Sequence, residues 1–383
     1  MKKLFRFADK FVGISIESVF FLWKKLSASR DIPFADLPSP RRILIIKLAL
    51  MGDTVLLYPA VKAVKERFPE SEIDVLCSPV NMEIVRDWEF IRGFILLNYG
   101  KLLFEPWQLI KLMSRLRERR YDLIIDFEEW FRITAIISFL TGAKSRAGFE
   151  TEGQLRHLLY TLTVKHSRNK HEIDCYFDLL NILGIPVRDR SLSIKISKEA
   201  EKEAGDILEG NGVSAGKEYV IVHPGCGRGG FQRQWPEKKY AQLINYIHDR
   251  HGLPVIITGS SADRNYVENI IGHGAKNFIN LASKTTIRQL AALVNGSKLL
   301  ICGNTGVMHL ASALDKKIVA LHGPTDALRW GPPGKNSVVI KSKMKCSPCL
   351  YLGFEYKCSG RKCMEMISLD EVIKAVDSQI SKR

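Results

Sequence analysis

A short apolar run that stops at a turn and hands over to an amphipathic helix recurs along the whole chain, and this alternation limits the fold more than any other feature. From Arg42 the order is ILIIKL, a helix over Thr54–Phe68, IDVLC, FILLNY, the basic helix LIKLMSRLRERR and DLIIDF. Strands separated by helix-length segments return to the sheet by crossovers, so they build a parallel sheet covered on both faces. AIISFLTGAKSRAGFE and HEIDCYFDLLNILGIP continue this half, and Gly184 with Pro186 ends its last helix. A polar stretch, VRDRSLSIKISKEAEKEAGDILEGNGVSAGKE, leads into YVIVHPGCGRGG and a second alternating series through PVIITGS, NFINLA, LLICGNTG and IVALHGP. The expected fold is α/β, two doubly wound Rossmann-like halves facing each other across a cleft, with ligands outside the carboxyl ends of the strands.

A length of 383 residues at 46% hydrophobic content supports two cores. The expected divisions are an N-terminal extension over 1–40, a first domain over 41–190, a second over 191–345, and a cysteine-containing tail with a final helix over 346–383. Lys and Arg number 57 against 41 acidic residues, and the balance of +16 points to polyanions: nucleic acid, an anionic membrane or phosphorylated substrates. No run reaches the roughly eighteen apolar residues of a spanning helix. MKKLFRFADKFVGISIESVFFLWKK is interrupted by Asp9 and Glu17 and lacks a small-residue cleavage site, so no secretion signal is read. Phe11, Val12, Phe20, Phe21, Leu22 and Trp23, flanked by Lys2, Lys3, Lys24 and Lys25, suit a helix lying flat on an anionic membrane, and packing on the protein itself is the alternative. The basic helix carries Lys111, Arg115, Arg117, Arg119 and Arg120 without interleaved aromatics, which suits a solvated face and weakens a single-stranded nucleic-acid reading.

Chemistry concentrates where strands end. Asp53, between the first strand and its helix, is placed either to cap that helix or to act as a general base. These roles compete, because a carboxylate accepting two backbone N–H bonds has a lowered pKa and is a poorer base. Lys47, ending the first strand, either faces the cleft or snorkels to solvent. HPGCGRGGFQRQWPE combines Gly225, Gly227, Gly229 and Gly230 with Arg228 and Arg233, which suits a diphosphate, yet it has neither a dinucleotide fingerprint nor a P-loop. In CGNTGVMHLASAL, Asn304 or Thr305 can cap the following helix, and the N–H groups around Thr305 and Gly306 offer an anion site, with His309 one turn further in. LHGPTDALRWGPPG repeats the pattern at Gly323, Pro324 and Thr325, so three such loops in one half point to one phosphate-bearing ligand. Cys346, Cys349, Cys358 and Cys363 have a spacing that admits a structural Zn, with unliganded buried or redox-active thiols as the alternative.

Taken together, these motifs resemble glycosyltransferase family 9, the heptosyltransferases of lipopolysaccharide core assembly, over roughly residues 42–375. The resemblance is carried by IKLALMGDTVLLYPAVKAVKERFP, YDLIIDF followed by SRAGFE, HEIDCYFDLLNILGIP, VHPGCG with RQWP, TGVMHLASAL, LHGPTDALRWGP, and CSPC with the later Cys358 and KCM. It implies a GT-B fold in which the second domain holds most of a nucleotide-sugar and the first holds the acceptor. It further implies an inverting, metal-independent transferase moving heptose from ADP-heptose to a glycolipid. Asp53 falls at the family's proposed base, and Lys47 at its strand-end lysine. Arg233, Thr305, Gly306 and His309 fall at donor positions, and Asp263 near an acidic position associated with the donor ribose. Two departures stand out: Asn304 replaces an aspartate implicated in holding the donor sugar, and Leu48, Ala49 and Leu50 replace small hydroxyl residues. The expected partners are the nucleotide-sugar, the glycolipid and an anionic membrane surface at the inner face of the cytoplasmic membrane, with no nucleic acid and no catalytic cofactor. Competing readings are a non-catalytic nucleotide or nucleotide-sugar binding protein, a basic nucleic-acid binder and a nicotinamide oxidoreductase.

Overall fold

The computed structural model describes residues 14–15, 17–22, 34, 39–102, 104–227, 230–351 and 358–382. The chain divides into two compact units, Met1–Ser191 and Leu192–Arg383.

In the first unit β1 (Arg42–Lys47), β2 (Glu72–Cys77), β3 (Gly93–Leu96), β4 (Leu123–Asp126), β5 (Ser145–Glu150) and β6 (Leu162–Lys165) form one sheet in the order β3-β2-β1-β4-β5-β6. Every pairing is parallel. Helices α1 (Met51–Arg67), α2 (Pro79–Val85), α3 (Trp107–Glu118), α4 (Arg132–Leu140) and α5 (Glu172–Asn181) cover it. Ile43 to Ile46 are all buried, because β1 is central and covered on both faces, which is why it reads as a continuous aliphatic run and not an alternation. The strand order reverses between β1 and β4, so the segments leaving their carboxyl ends part and leave a crevice.

The second unit repeats this plan. Its strands β7 (Val220–His223), β8 (Val255–Ile257), β9 (Phe278–Asn280), β10 (Leu299–Gly303), β11 (Ile318–His322) and β12 (Ser337–Lys341) take the order β12-β11-β10-β7-β8-β9, again all parallel. Around them lie α6 (Lys198–Glu209), α7 (Glu237–His251), α8 (Arg264–Gly272), α9 (Ile287–Gly296), α10 (Gly306–Ala313), α11 (Ala327–Trp330), α12 (Lys362–Glu365) and α13 (Leu369–Ser381). Cys363, Met364, Ile367, Val372 and Val376 share a core with Val319 and Leu321 of β11, and the Trp235 indole donates to the Ile367 carbonyl at 2.9 Å. Part of the segment 346–383 is thus built into the second core.

Sequence periodicity missed the edge strands β6 and β12, which are short and only half-buried, so their apolar signal is weak. It also started α1 at Thr54, whereas Met51, Gly52 and Asp53 already lie in the first turn. In the N-terminal extension, residues 17–22 are helical. Glu17 is buried 3.6 Å from Arg132, and Phe20 stacks on Phe139 with centroids 5.5 Å apart, so this part of the extension packs on its own unit. Phe11, Val12, Trp23 and the flanking Lys2, Lys3, Lys24 and Lys25 lie outside the described residues. No helix among the described residues is long and apolar enough to cross a membrane.

At the end of β4 the fully buried Asp126 accepts from Arg156 at 3.0 Å and from the Tyr160 hydroxyl at 2.6 Å. A buried carboxylate is tolerated only when its partners replace water. Replacing Arg156 with Met keeps much of the volume but strips the cation, so unfolding free energy should fall by about 3–5 kcal/mol in urea titrations. A loss below about 1 kcal/mol would show that Asp126 does not depend on Arg156.

Candidate functional site

Four acidic residues gather round one lysine at the point where the first sheet reverses its order. Lys47 ends β1 and is fully buried, so it does not snorkel to solvent as one sequence reading allowed. Its ammonium donates to Glu129 and, at 3.2 Å, to the Phe127 carbonyl, and it lies 3.9 Å from Asp53. It also sits over the Tyr176 ring, 5.5 Å from the centroid. Glu128 accepts from the backbone N–H groups of Leu48 and Ala49, both at 3.1 Å, and thereby ties the turn after β1 to the turn after β4. Glu172, at the start of α5, is buried with His166, whose ring nitrogen is 2.9 Å from its carboxylate, and its charge acts on both Lys47 and Asp53.

Asp53 is not the helix cap that its position suggested. Leu50 is the N-cap of α1, and Asp53 stands three residues in, accepting one backbone bond from the Leu50 N–H at 3.3 Å. One such bond is weak compensation for burial. Burial is the main cause that pushes the Asp53 carboxyl up to about 7; Glu129 and Glu172 add to it, and Lys47 and the Leu50 N–H oppose it. Glu128 is pushed up to about 8, chiefly by burial. Burial works to lower the Lys47 pKa, but the surrounding carboxylates outweigh it and hold that ammonium well above its ordinary range. The site therefore carries a permanent cation and carboxyl groups that exchange protons near neutrality.

In the second unit the three small-residue loops follow β7, β10 and β11, which are adjacent in the sheet. The loop after β7 is braced from below by Asp263. Its carboxylate accepts from Gly227 N–H at 3.0 Å and from the Ser260 N–H and hydroxyl at 2.9 and 2.5 Å. A Cβ on Gly225 would fall 2.2 Å from the Asp263 carboxyl carbon, so glycine here makes room for that brace, and Gly227 has φ of +70°. Asp263, expected near a ribose, is buried and engaged with the protein's own loop. Arg233 donates to the Cys226 carbonyl at 3.3 Å, while its buried Nε has no hydrogen-bond partner among the described residues. Arg228 and Gly229 lie outside them.

After β10, Thr305 is the N-cap of α10 by position but makes no side-chain capping bond. Asn304 does not cap either; its amide donates to the Trp330 carbonyl at 3.1 Å and so fastens this turn to α11. The first-turn N–H groups of α10, beginning at Gly306, are left without a side-chain cap, which favours an anion. His309 is buried one turn in. His223 and His322 are both pushed down to about 4 by burial, and the Cys226 thiol is pushed up to about 11 by the same cause. These groups hold one protonation state at neutral pH, so the second unit's loops are equipped for binding an anion and the first unit's group for moving a proton.

The sequence profile of glycosyltransferase family 9 (heptosyltransferase) matches residues 109–359. The chain belongs to glycosyltransferase family 9. As a glycosyltransferase it is 23% identical over 348 residues to the lipopolysaccharide core heptosyltransferase OpsX of Haemophilus influenzae, covering 88% of this chain and 96% of that one. It is 25% identical over 310 residues to lipopolysaccharide heptosyltransferase 2 of Escherichia coli, covering 78% and 88%. Among solved structures, the family 9 glycosyltransferase of Veillonella parvula superposes with a TM-score of 0.76 at 20% identity, covering 92% of this chain and 99% of that one. Escherichia coli heptosyltransferase WaaC with ADP gives 0.67 at 17%, covering 88% and 99%. These likenesses, with the two doubly wound sheets, show the GT-B fold.

For this family 9 chain, the reading of its motifs missed Glu128, Glu129 and Glu172. The doublet FEEW directly after the strand DLIIDF was the available signal, since a charged pair at the end of a central strand has to face something. Of the four tail cysteines expected to admit a Zn, Cys349 and Cys358 lie near enough to Cys363 for their charges to act on its thiol. Among the described residues, the group of three metal-capable side chains with ligand atoms within 4.8 Å of one another is His166, Glu172 and Cys175. Cys363 lies in the second core with its thiol pushed up to about 11 by burial, Cys346 and Cys358 are exposed, and residues 352–357 between Cys349 and Cys358 lie outside the described residues.

The raised carboxyl has a consequence for stability. Asp53 titrates near 3.8 when unfolded and near 7 when folded, so between these values the folded state binds more protons and stability falls as pH rises. Asp53→Asn removes that term. In urea unfolding the variant should gain on the wild type steadily from about pH 4 to about pH 7, and a gap independent of pH would contradict the buried, raised carboxyl.

Proposed function

We propose that this chain is an inverting heptosyltransferase that moves heptose from ADP-heptose to a lipopolysaccharide core or related glycolipid, with Asp53 as general base. The observation that carries the reading is a buried carboxyl in the first turn of the helix that follows a central strand, held near neutrality by its surroundings. A general base works best when its pKa lies near the working pH, and an ordinary exposed aspartate does not meet that condition. Asp53 takes the proton of an acceptor hydroxyl as that oxygen bonds to the anomeric carbon from the face opposite the nucleotide. The bond from that carbon to the diphosphate oxygen breaks, the configuration inverts, and ADP leaves. Lys47 stabilises the carboxylate form of Asp53 before the proton arrives and does not need to touch the donor. The departing diphosphate gains negative charge. Arg233, whose buried Nε awaits an acceptor, and the uncapped N–H groups of Thr305 and Gly306 are positioned donors of the kind that meets such charge. His309 sits beside them and Asn304 holds their turn. Asp263 serves the donor indirectly by bracing the glycine loop.

Several observations support the sugar and acceptor. Curated relatives spanning most of this chain are named heptosyltransferases of lipopolysaccharide or lipooligosaccharide, and the solved WaaC structure contains ADP. The enzyme works at the inner face of the cytoplasmic membrane, where its net charge of +16 suits a phosphorylated glycolipid.

Asp53→Asn should reduce transfer from ADP-heptose at least about a thousandfold while leaving ADP affinity within about twofold, by isothermal titration. The wild-type kcat/KM should rise with pH through about 7, tracking deprotonation of Asp53. Undiminished turnover by the variant would remove the base assignment. Arg233→Ala should weaken ADP binding and lower kcat/KM together by about tenfold or more, and unchanged values would remove its donor role.

A further inference from the structure

One surface of the first unit takes no part in the chemistry above. Helix α3 turns Leu112, Met113 and Leu116 inward. The exposed surface begins apolar, at Phe104 in the turn before α3 and at Trp107 and Ile110 on it, and becomes basic along the helix. Phe104, Trp107 and Ile110 are 59%, 51% and 73% exposed. Lys111 and Arg115 follow Trp107 on the same exposed stripe, each one turn further on. Residues 101–120 hold six Lys or Arg against two carboxylates, and one of these, Glu105, already lies 3.9 Å from Lys101. The sequence reading treated this helix as a solvated basic face without aromatics; the fold sets Trp107 and Phe104 beside its cations.

The surface extends beyond α3. Arg117 donates to the Leu140 carbonyl at 2.8 Å, and Leu109, Ile110, Met113 and Leu140 line a shallow groove of about 570 Å³. Leu140 ends α4 and packs against the same small cluster as Phe20 of the N-terminal extension. Val19 and Leu22, on either side of Phe20, are 61% and 58% exposed. Leu140 at the end of α4 thus joins the groove under α3, which Ile110 and Arg117 also line, to the segment carrying Phe20.

Scattered apolar residues on a surface are ordinary, but a group of this kind with a basic border is not. An amphipathic ring at head-group depth with Lys and Arg reaching lipid phosphates is the pattern of interfacial anchoring. A protein partner fits less well, since the centre of a protein interface is depleted in charge and Lys111 would have to be desolvated there. We propose that α3 docks this enzyme on an anionic membrane leaflet, with Phe104, Trp107 and Ile110 entering the head-group layer while Lys111 and Arg115 meet lipid phosphates. The proposal rests on the lipid-linked acceptor of the reading above, but its test contains neither sugar nor nucleotide, so the two fail separately.

The full chain is floated with phosphatidylcholine vesicles that contain or lack phosphatidylglycerol. Binding should require the anionic lipid, weaken with salt, and fall about tenfold or more in Lys111→Glu with Arg115→Glu and in Trp107→Ser with Ile110→Ser. With brominated lipid in the same vesicles, Trp107→Phe should abolish most tryptophan quenching while flotation stays close to wild type. Because that conservative variant keeps an apolar ring at an exposed site, it preserves the fold where a harsher one does not. Quenching that survives Trp107→Phe but disappears in Trp23→Phe would move the contact to the N-terminal segment and overturn the proposal. Unchanged flotation of both double variants would overturn it too. So would sedimentation showing that the wild type self-associates and that Trp107→Ser with Ile110→Ser abolishes it, since the face would then join two copies of the chain.

Discussion

The ammonium of Lys47, buried where the first sheet reverses its strand order, is the interaction on which the site depends. A buried cation without partners is prohibitive, so carboxylates must gather round it, and Glu129, Glu128 and Asp53 do. Once gathered, they outnumber it. The surplus negative charge, added to burial, lifts Asp53 and Glu128 toward neutrality and leaves the group exchanging protons in the range where an enzyme works. The same contacts tie the turn after β1 to the turn after β4, so architecture and acid–base character have one physical source.

Both units use one topology, and each places its polar groups outside the carboxyl ends of the strands flanking the reversal. What differs is the electrostatics. In the first unit several carboxyl groups compete for one cation, while in the second His223, His322 and Cys226 are locked into neutral forms by burial. The second unit offers Arg233 and backbone N–H groups, which are donors that need no titration to hold an anion. Carboxyl groups that titrate near neutrality and donors suited to an anion thus lie in different halves of a chain whose halves share a fold.

Side chains given functional parts by motif also make contacts inside the protein. Asn304 and Asp263 hold turns together, and Lys47 lies 3.9 Å from Asp53 within its own unit. Replacement of an aspartate by Asn304 is compatible with this, because an amide that donates to the Trp330 carbonyl does a job a carboxylate cannot do. Gly225 likewise is required by the carboxyl group beneath it, whatever binds above.

The chain's own letters were sufficient for the doubly wound plan, the strand-end positions of Asp53, Arg233 and Thr305, and the family. Aliphatic runs at crossover spacing admit few arrangements, and those positions follow directly from where each strand stops. Tertiary structure alone decided the rest. Whether Asp53 is the N-cap of its helix or a buried carboxyl pushed up toward neutrality depends on three residues of offset and on one hydrogen bond instead of two. Glu128, Glu129 and Glu172 reach Lys47 from segments about 80 to 125 residues away in sequence, and no local pattern encodes that encounter. Edge strands β6 and β12 and the exposed face of α3 were hidden for a related reason: burial is a property of neighbours, and the neighbours are chosen only when the sheet closes over its core.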